Sequence, residues 1–258
     1  MLPILLTLGP ITIHTLGFLL AIGYFLGSFI GWRRLKELGI KEEKIIDCLL
    51  LVTFGGLFLA RVFYLGLNWE KFGFSPLRWL FFSRYPGFSP GGGILGMVLV
   101  LARFTKKEKL NFWAVADEIA FGLLPFLVLL QLGNFFDGNT PGKPTSLPWG
   151  IFFPGTLWRQ QPVSLFFAAG LSLIWIFIIK IERHWRTWDW YQSQANGFIF
   201  LAFMSLLMLL NFLLAFWKTS KLYFQSLEII LSLLGVVLGA GLILFRSRKK
   251  HGQAKTSG

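Results

Sequence analysis

Long apolar runs separated by short charged clusters set the pattern of this chain. About 20 apolar residues are needed to span a hydrocarbon core as a helix. Seven segments reach or approach that length, near 12–31, 45–67, 91–104, 112–132, 161–181, 195–217 and 226–245. The third is short, and its Gly92, Gly93 and Gly96 suit close packing against a neighbouring helix. The pattern predicts an all-α polytopic membrane protein with about seven transmembrane helices. It predicts a membrane domain over 1–245 and a basic cytoplasmic tail over 246–258.

Composition supports a bilayer as the solvent. Of 258 residues, 55% are hydrophobic and 14% charged, with a mean hydropathy of +0.63, whereas soluble domains carry nearer a quarter charged. The formal net charge is +13, but the cations lie between apolar spans instead of forming one face. That reads as membrane anchoring, with no nucleic-acid partner. The single cysteine, Cys48, excludes an internal disulfide framework and sits in an apolar run as a packing residue. No cationic region precedes the first apolar run and no small-residue cleavage site follows it, so the first helix is expected to be retained.

Orientation follows from Lys and Arg. The clusters at 33–44, 103–109, 180–186 and 246–255 hold 17 of them, against seven on the opposite face. This places the C-terminus in the cytoplasm and, with seven spans, the N-terminus outside. Trp32, Trp69, Trp79, Trp149, Trp158 and Trp185 fall near predicted span ends, where interfacial aromatic belts belong.

Polar residues inside or beside such spans are costly and therefore candidates for function. Arg61, in "GGLFLARVFYLG", is either a phosphate or carboxylate ligand or a guanidinium snorkelling to the headgroups. His14 opens the first predicted helix. His184 and His251 fall on the cytoplasmic side, so any external imidazole base must be His14. "PGFSPGGGILG" presents consecutive glycines at a helix start, which suits a phosphate or close helix packing equally. Asp117 and Glu118 sit near the start of the fourth helix, where acids favour its dipole. "QLGNFFDGN" (131–139) ends an apolar run with Gln131, Gly133, Asn134 and Asn139, whose amides suit a lipid headgroup or a helix–helix bridge. No Cys/His metal spacing, phosphate loop or nucleophile elbow is present, and neither a metal nor a cofactor is expected.

The order of these blocks resembles the prolipoprotein diacylglyceryl transferase family. "GPITIHTLG" looks like its first-helix opening, and "GGLFLARVFY" like its Gly-rich second helix with a retained Arg. "SPGGGILG" is similar to "SFHGGLIG", "QLGNFFDGNTPG" to "GRIGNFxNGExxG", and "QQPVSLFFA" to "RHPSQLYEA". "GFIFLAFMSLLMLLNFLLAFWK" and "LEIILSLLGVVLGAGLIL" follow the frames of the sixth and seventh helices.

The resemblance implies transfer of diacylglyceryl from phosphatidylglycerol to the lipobox cysteine thiol of a prolipoprotein, at a bacterial inner membrane. Its implied partners are phosphatidylglycerol, the prolipoprotein signal peptide and the bilayer. It implies His14 as a catalytic residue. It places Arg61, Gly92, Gly93, Gln131, Gly133, Asn134, Asn139, Gly142 and Asn211 around the phospholipid headgroup. Several motif positions differ here: Gln131 and Asn211 stand at Arg positions, Gly91 at the His, Asn139 at the Glu, Leu16 and Leu207 at Tyr positions, and Lys218 at a later Arg. These departures allow a second reading, an impaired paralogue that binds phospholipid or lipoprotein precursor. A multi-span transporter is a third.

Overall fold

The computed structural model describes residues 2–74, 79, 85, 87–138, 140–191, 193–219 and 222–248. Among them, apolar runs form seven long helices: α1 (Thr15–Glu37), α2 (Glu42–Leu67), α4 (Pro90–Lys107), α5 (Phe112–Asp137), α6 (Val163–Glu182), α7 (Phe198–Ala215) and α8 (Leu222–Ser247). A single turn, α3 (Trp69–Phe72), follows α2. Six of the long helices are apolar and long enough to cross a membrane. The exception, α4, is the short third segment, whose end carries Arg103, Lys106 and Lys107. The protein is thus a helical multi-pass membrane protein. Phe25, Phe54, Phe58 and Leu173 stay largely exposed on their spans, as expected where the surrounding solvent is lipid.

Two small antiparallel hairpins interrupt the helical pattern. In the first, β1 (Ile4–Leu8) pairs with β2 (Ile11–His14) across a turn in which Gly9 adopts φ +58°. The β-branched run Ile11–Thr12–Ile13 after Gly9-Pro10 favours a strand. The first helix therefore begins at Thr15, not near residue 12, and His14 ends a strand instead of opening the helix. In the second hairpin, β3 (Ile151–Phe152) pairs with β4 (Arg159–Gln160).

Chain contacts group the residues into two compact units, one of 1–31 with 117–258 and one of 32–116. In the first unit, glycines set helix spacing. A Cβ on Gly27 would sit 2.5 Å from the carbonyl oxygen of Gly122, and one on Gly23 would sit 3.3 Å from Leu129 Cβ. These positions let α1 and α5 run antiparallel at backbone contact, the small-residue solution that membranes favour. The same device joins α7 to α8, where Gly235 faces Met208 and Gly239 faces Ser205.

Asp117 is buried within α5, yet it serves another helix. Its carboxylate accepts from the Gly197 N–H at 2.6 Å and the Phe200 N–H at 2.7 Å, the start of α7. The sequence pattern assigned this acid to the dipole of its own helix. Instead it satisfies orphan donors at a neighbour's N-terminus. On the same side of this unit, Arg246 donates to the Asn196 carbonyl at 2.7 Å and the Ser193 N–H to the Ser247 carbonyl at 3.1 Å, tying the α7 entry to the end of α8.

In the second unit, α2 and α4 pack antiparallel through Gly55, Gly56, Gly92 and Gly96. A Cβ on Gly96 would lie 2.7 Å from the Gly55 carbonyl oxygen and 2.8 Å from Leu59 Cβ. Cys48 is buried on α2, consistent with a packing residue.

Candidate functional site

The polar stretch from Gln131 is helical. The last turns of α5 run through Gln131, Gly133, Asn134 and Asp137, and Gly138 (φ +73°) then turns the chain out of the helix. Gln131 and Asn134 are three positions apart and share a helix face. Gly133 faces the start of α1, where a Cβ would lie 2.8 Å from Leu16 Cδ1 and 3.2 Å from Leu16 Cα. Leu16 and Gly133, at two motif positions, are thus in direct contact, and His14 stands exposed two residues before Leu16. Asn139 lies outside the described residues, as do Arg78, Arg84 and the tail from 249.

Beyond α5 the chain becomes extended and is held on both sides. The Gly142 N–H donates to the Gln161 carbonyl at 3.0 Å, and the Gln161 N–H to the Lys143 carbonyl at 3.1 Å. On the other side the Lys143 N–H donates to the Trp217 carbonyl at 2.8 Å, and Gly142 bridges Lys218. Gly142 must be glycine for this closeness, since a Cβ would fall 2.6 Å from the Gln161 oxygen. The Thr140 and Ser164 hydroxyls hydrogen-bond each other, joining this strand to the first turn of α6.

Lys218 gathers the polar groups at the end of α7. Its ammonium donates to Asn211 Oδ1 at 3.5 Å, pairs with Glu228 on α8, and lies 5.8 Å from the Phe167 ring centroid. The Asn211 amide nitrogen donates to the Leu207 carbonyl at 3.1 Å, leaving its oxygen turned to the lysine. Two residues singled out from the sequence, Gly142 and Asn211, therefore meet at Lys218. In the sequence Lys218 is one of the seven cations of the outer face and stands at a motif Arg position, with nothing to link it to Asn211. A lone Lys after "AFW" at the end of an apolar run is indistinguishable from an interfacial anchor, and its partner Glu228 lies on the next helix.

The second unit holds Arg61, Gly92 and Gly93. Arg61 is buried, and its guanidinium donates from Nε to the Trp79 carbonyl at 3.2 Å and from NH1 to the Gly87 carbonyl at 2.8 Å. Tyr64, Phe72 and Phe88 surround it, with centroids at 5.6, 5.6 and 6.0 Å. Ser89 caps α4 by accepting from the Gly92 N–H at 3.3 Å, and its own N–H donates to the Ala60 carbonyl at 2.9 Å. Gly92 is pressed on Leu59 and Phe63, so packing accounts for it; Gly93 meets Ala60 Cβ at an ordinary 3.5 Å.

A multi-pass helical membrane protein is thereby defined, with amides, a lysine and close-approach glycines gathered where its apolar helices end. Residues 3–245 match the prolipoprotein diacylglyceryl transferase family, and the chain belongs to that family. It is 31% identical over 269 residues to the phosphatidylglycerol–prolipoprotein diacylglyceryl transferase of Bordetella parapertussis, with 95% of each chain covered. The proteins of that name from Mannheimia succiniciproducens and Clostridioides difficile are 30% and 27% identical, over 96% and 94% of this chain and 94% of each relative.

Proposed function

We propose that this protein is a phosphatidylglycerol–prolipoprotein diacylglyceryl transferase of a bacterial inner membrane. The observation that carries this reading is the family match from residue 3 to 245, with similarly named relatives aligned over nearly their whole length. In the reaction, the lipobox cysteine sulfur of a prolipoprotein signal peptide attacks the glyceryl carbon of phosphatidylglycerol. A C–S bond forms, the C–O bond to phosphate breaks, and glycerol phosphate leaves with the bonding pair.

Such a site must supply charge to the leaving phosphate and a destination for the thiol proton. A free thiol has a pKa near ~8.5 and is mostly protonated at neutral pH. In this reading His14 takes that proton. The positions held by Arg in the family motif are Gln131 and Asn211 here, which hydrogen-bond a phosphate but do not neutralise it. Lys218 supplies the cation, oriented by Asn211 and Glu228. Gln131, Asn134 and Asn139 supply amide contacts to the headgroup, and Gly133 and Gly142 permit the close backbone approaches around them. In the second unit, Arg61, with Gly92 and Gly93, is a separate candidate for headgroup contact, its guanidinium fixed by two carbonyls. The face on which α5 ends is the external one, and the cationic clusters lie in the cytoplasm.

Expression in cells depleted of their own transferase tests the reading. Growth and lipoprotein processing are restored if it is correct. Failure of a membrane-inserted, folded protein to restore either contradicts it.

A further inference from the structure

The hairpin between α5 and α6 carries an apolar surface outside the residues assigned above to the transfer reaction. Its tip and flanks expose large apolar side chains, Leu157 at 87%, Trp158 at 70% and Phe152 at 59%, with Trp149 at 50%. In water such a cluster would be an unusual solvent-facing patch for so short a segment. The base of the hairpin is fixed where two spans end. The Lys143 N–H is bound to the Trp217 carbonyl just past α7, and Gln161 leads through Pro162 directly into α6.

Charge identifies what the surface meets. No Asp or Glu occurs between Asp137 and Glu182, while Lys143 and Arg159 lie on the hairpin. Beside the tip is an open depression of about 570 Å³, lined by Thr145, Ser146, Phe152, Leu157 and Trp158. Arg159 also lines it, its guanidinium 5.6 Å from the Phe152 ring centroid. A guanidinium and two hydroxyls beside apolar side chains match a phosphate on a glycerol ester. We infer that the 143–161 hairpin docks on the adjoining leaflet, its apolar tip inserted and Arg159 holding the headgroup of an anionic phospholipid.

The test uses the full chain, one copy per nanodisc, with Cys48→Ala and a spin label at Leu157→Cys; labelled Glu37→Cys is the aqueous control. Accessibility to oxygen and to a water-soluble nickel chelate gives depth. In phosphatidylglycerol-containing discs the label at 157 lies about 5–10 Å below the headgroup boundary. In purely phosphatidylcholine discs it sits shallower. Arg159→Gln reduces the preference for the anionic discs about fivefold, as expected for loss of one cation near an anionic surface. Nickel accessibility at 157 equal to that at 37 in both disc types overturns the inference and leaves the patch to a protein partner. Depth unaffected by lipid charge or by Arg159→Gln overturns the headgroup assignment.

Discussion

The Lys218 ammonium reaches the Asn211 amide oxygen at 3.5 Å, while Gly142 pairs with the backbone of the same lysine. A cation beside apolar spans is costly unless it is paired. Here the Glu228 carboxylate and the Asn211 amide hold it at a fixed place next to the 131–142 segment. Lys218→Met is expected to lower transfer by about 10²–10³-fold, the usual loss when one charge-stabilising donor is removed. Lys218→Arg should retain most activity. Equal turnover by wild type and Lys218→Met in a detergent-solubilised assay would remove Lys218 from the site.

Glu228→Gln separates orientation from charge. The lysine keeps its charge but loses its fixed partner, so kcat should fall more than lipid KM rises. Parallel loss of activity and thermal stability would instead make the pair purely structural.

Gly122→Ala puts a methyl group into backbone contact with Gly27. Overpacking of this kind costs about 1–3 kcal/mol. Thermal unfolding should shift to lower temperature, whereas Gly17→Ala, which meets nothing within 4 Å, should leave it nearly unchanged. Similar midpoints for the two variants would refute the seam between α1 and α5.

Asp117→Ala removes the acceptor of the Gly197 and Phe200 N–H groups. Loss of a capping carboxylate and exposure of buried donors should cost about 1–3 kcal/mol. Amide exchange at the start of α7 should accelerate before that of α8. Uniform exchange across both helices would contradict a local capping role.

The fold was legible where the bilayer imposes length and polarity. Each of the seven apolar segments contains a long helix, including 91–104, whose Gly92, Gly93 and Gly96 are the contact surface against α2. The helix boundary at His14 is not visible in sequence because Ile11 and Ile13 continue the apolar run of the span, and only the Gly9-Pro10 turn marks 11–14 as a strand. The role of Asp117 is hidden in sequence because a helix-start acid ordinarily serves its own helix, whereas the N–H groups it accepts from lie 80 residues or more away. Gly133, Asn134 and Gly142 were visible as motif letters. The reason for Gly142, an approach to the Gln161 carbonyl, and the meeting of Asn211 with Lys218 and Glu228 are tertiary facts that spacing does not encode.

Acid should loosen the second unit. Lys44 lies 2.5 Å from Glu108 Oε2, and that hydrogen bond holds the Glu108 carboxyl below its ordinary range. A carboxyl lowered in the folded state stabilises above its unfolded pKa of about 4.3, and that contribution disappears as pH falls through the folded value. Between neutral pH and the region below 4, the melting temperature of wild type should therefore fall more than that of Glu108→Gln. Identical pH slopes would show that the pair does not act on stability.

The most direct measurement supplies purified, folded protein with phosphatidylglycerol labelled in the glycerol of its diacylglyceryl group and a peptide bearing a lipobox cysteine. The account predicts a labelled, thioether-linked peptide that resists base hydrolysis at the C–S bond, released glycerol phosphate in equal amount, and loss of both with Lys218→Met. Absence of the thioether product, with the protein shown to be folded and lipid-supplied, would contradict it.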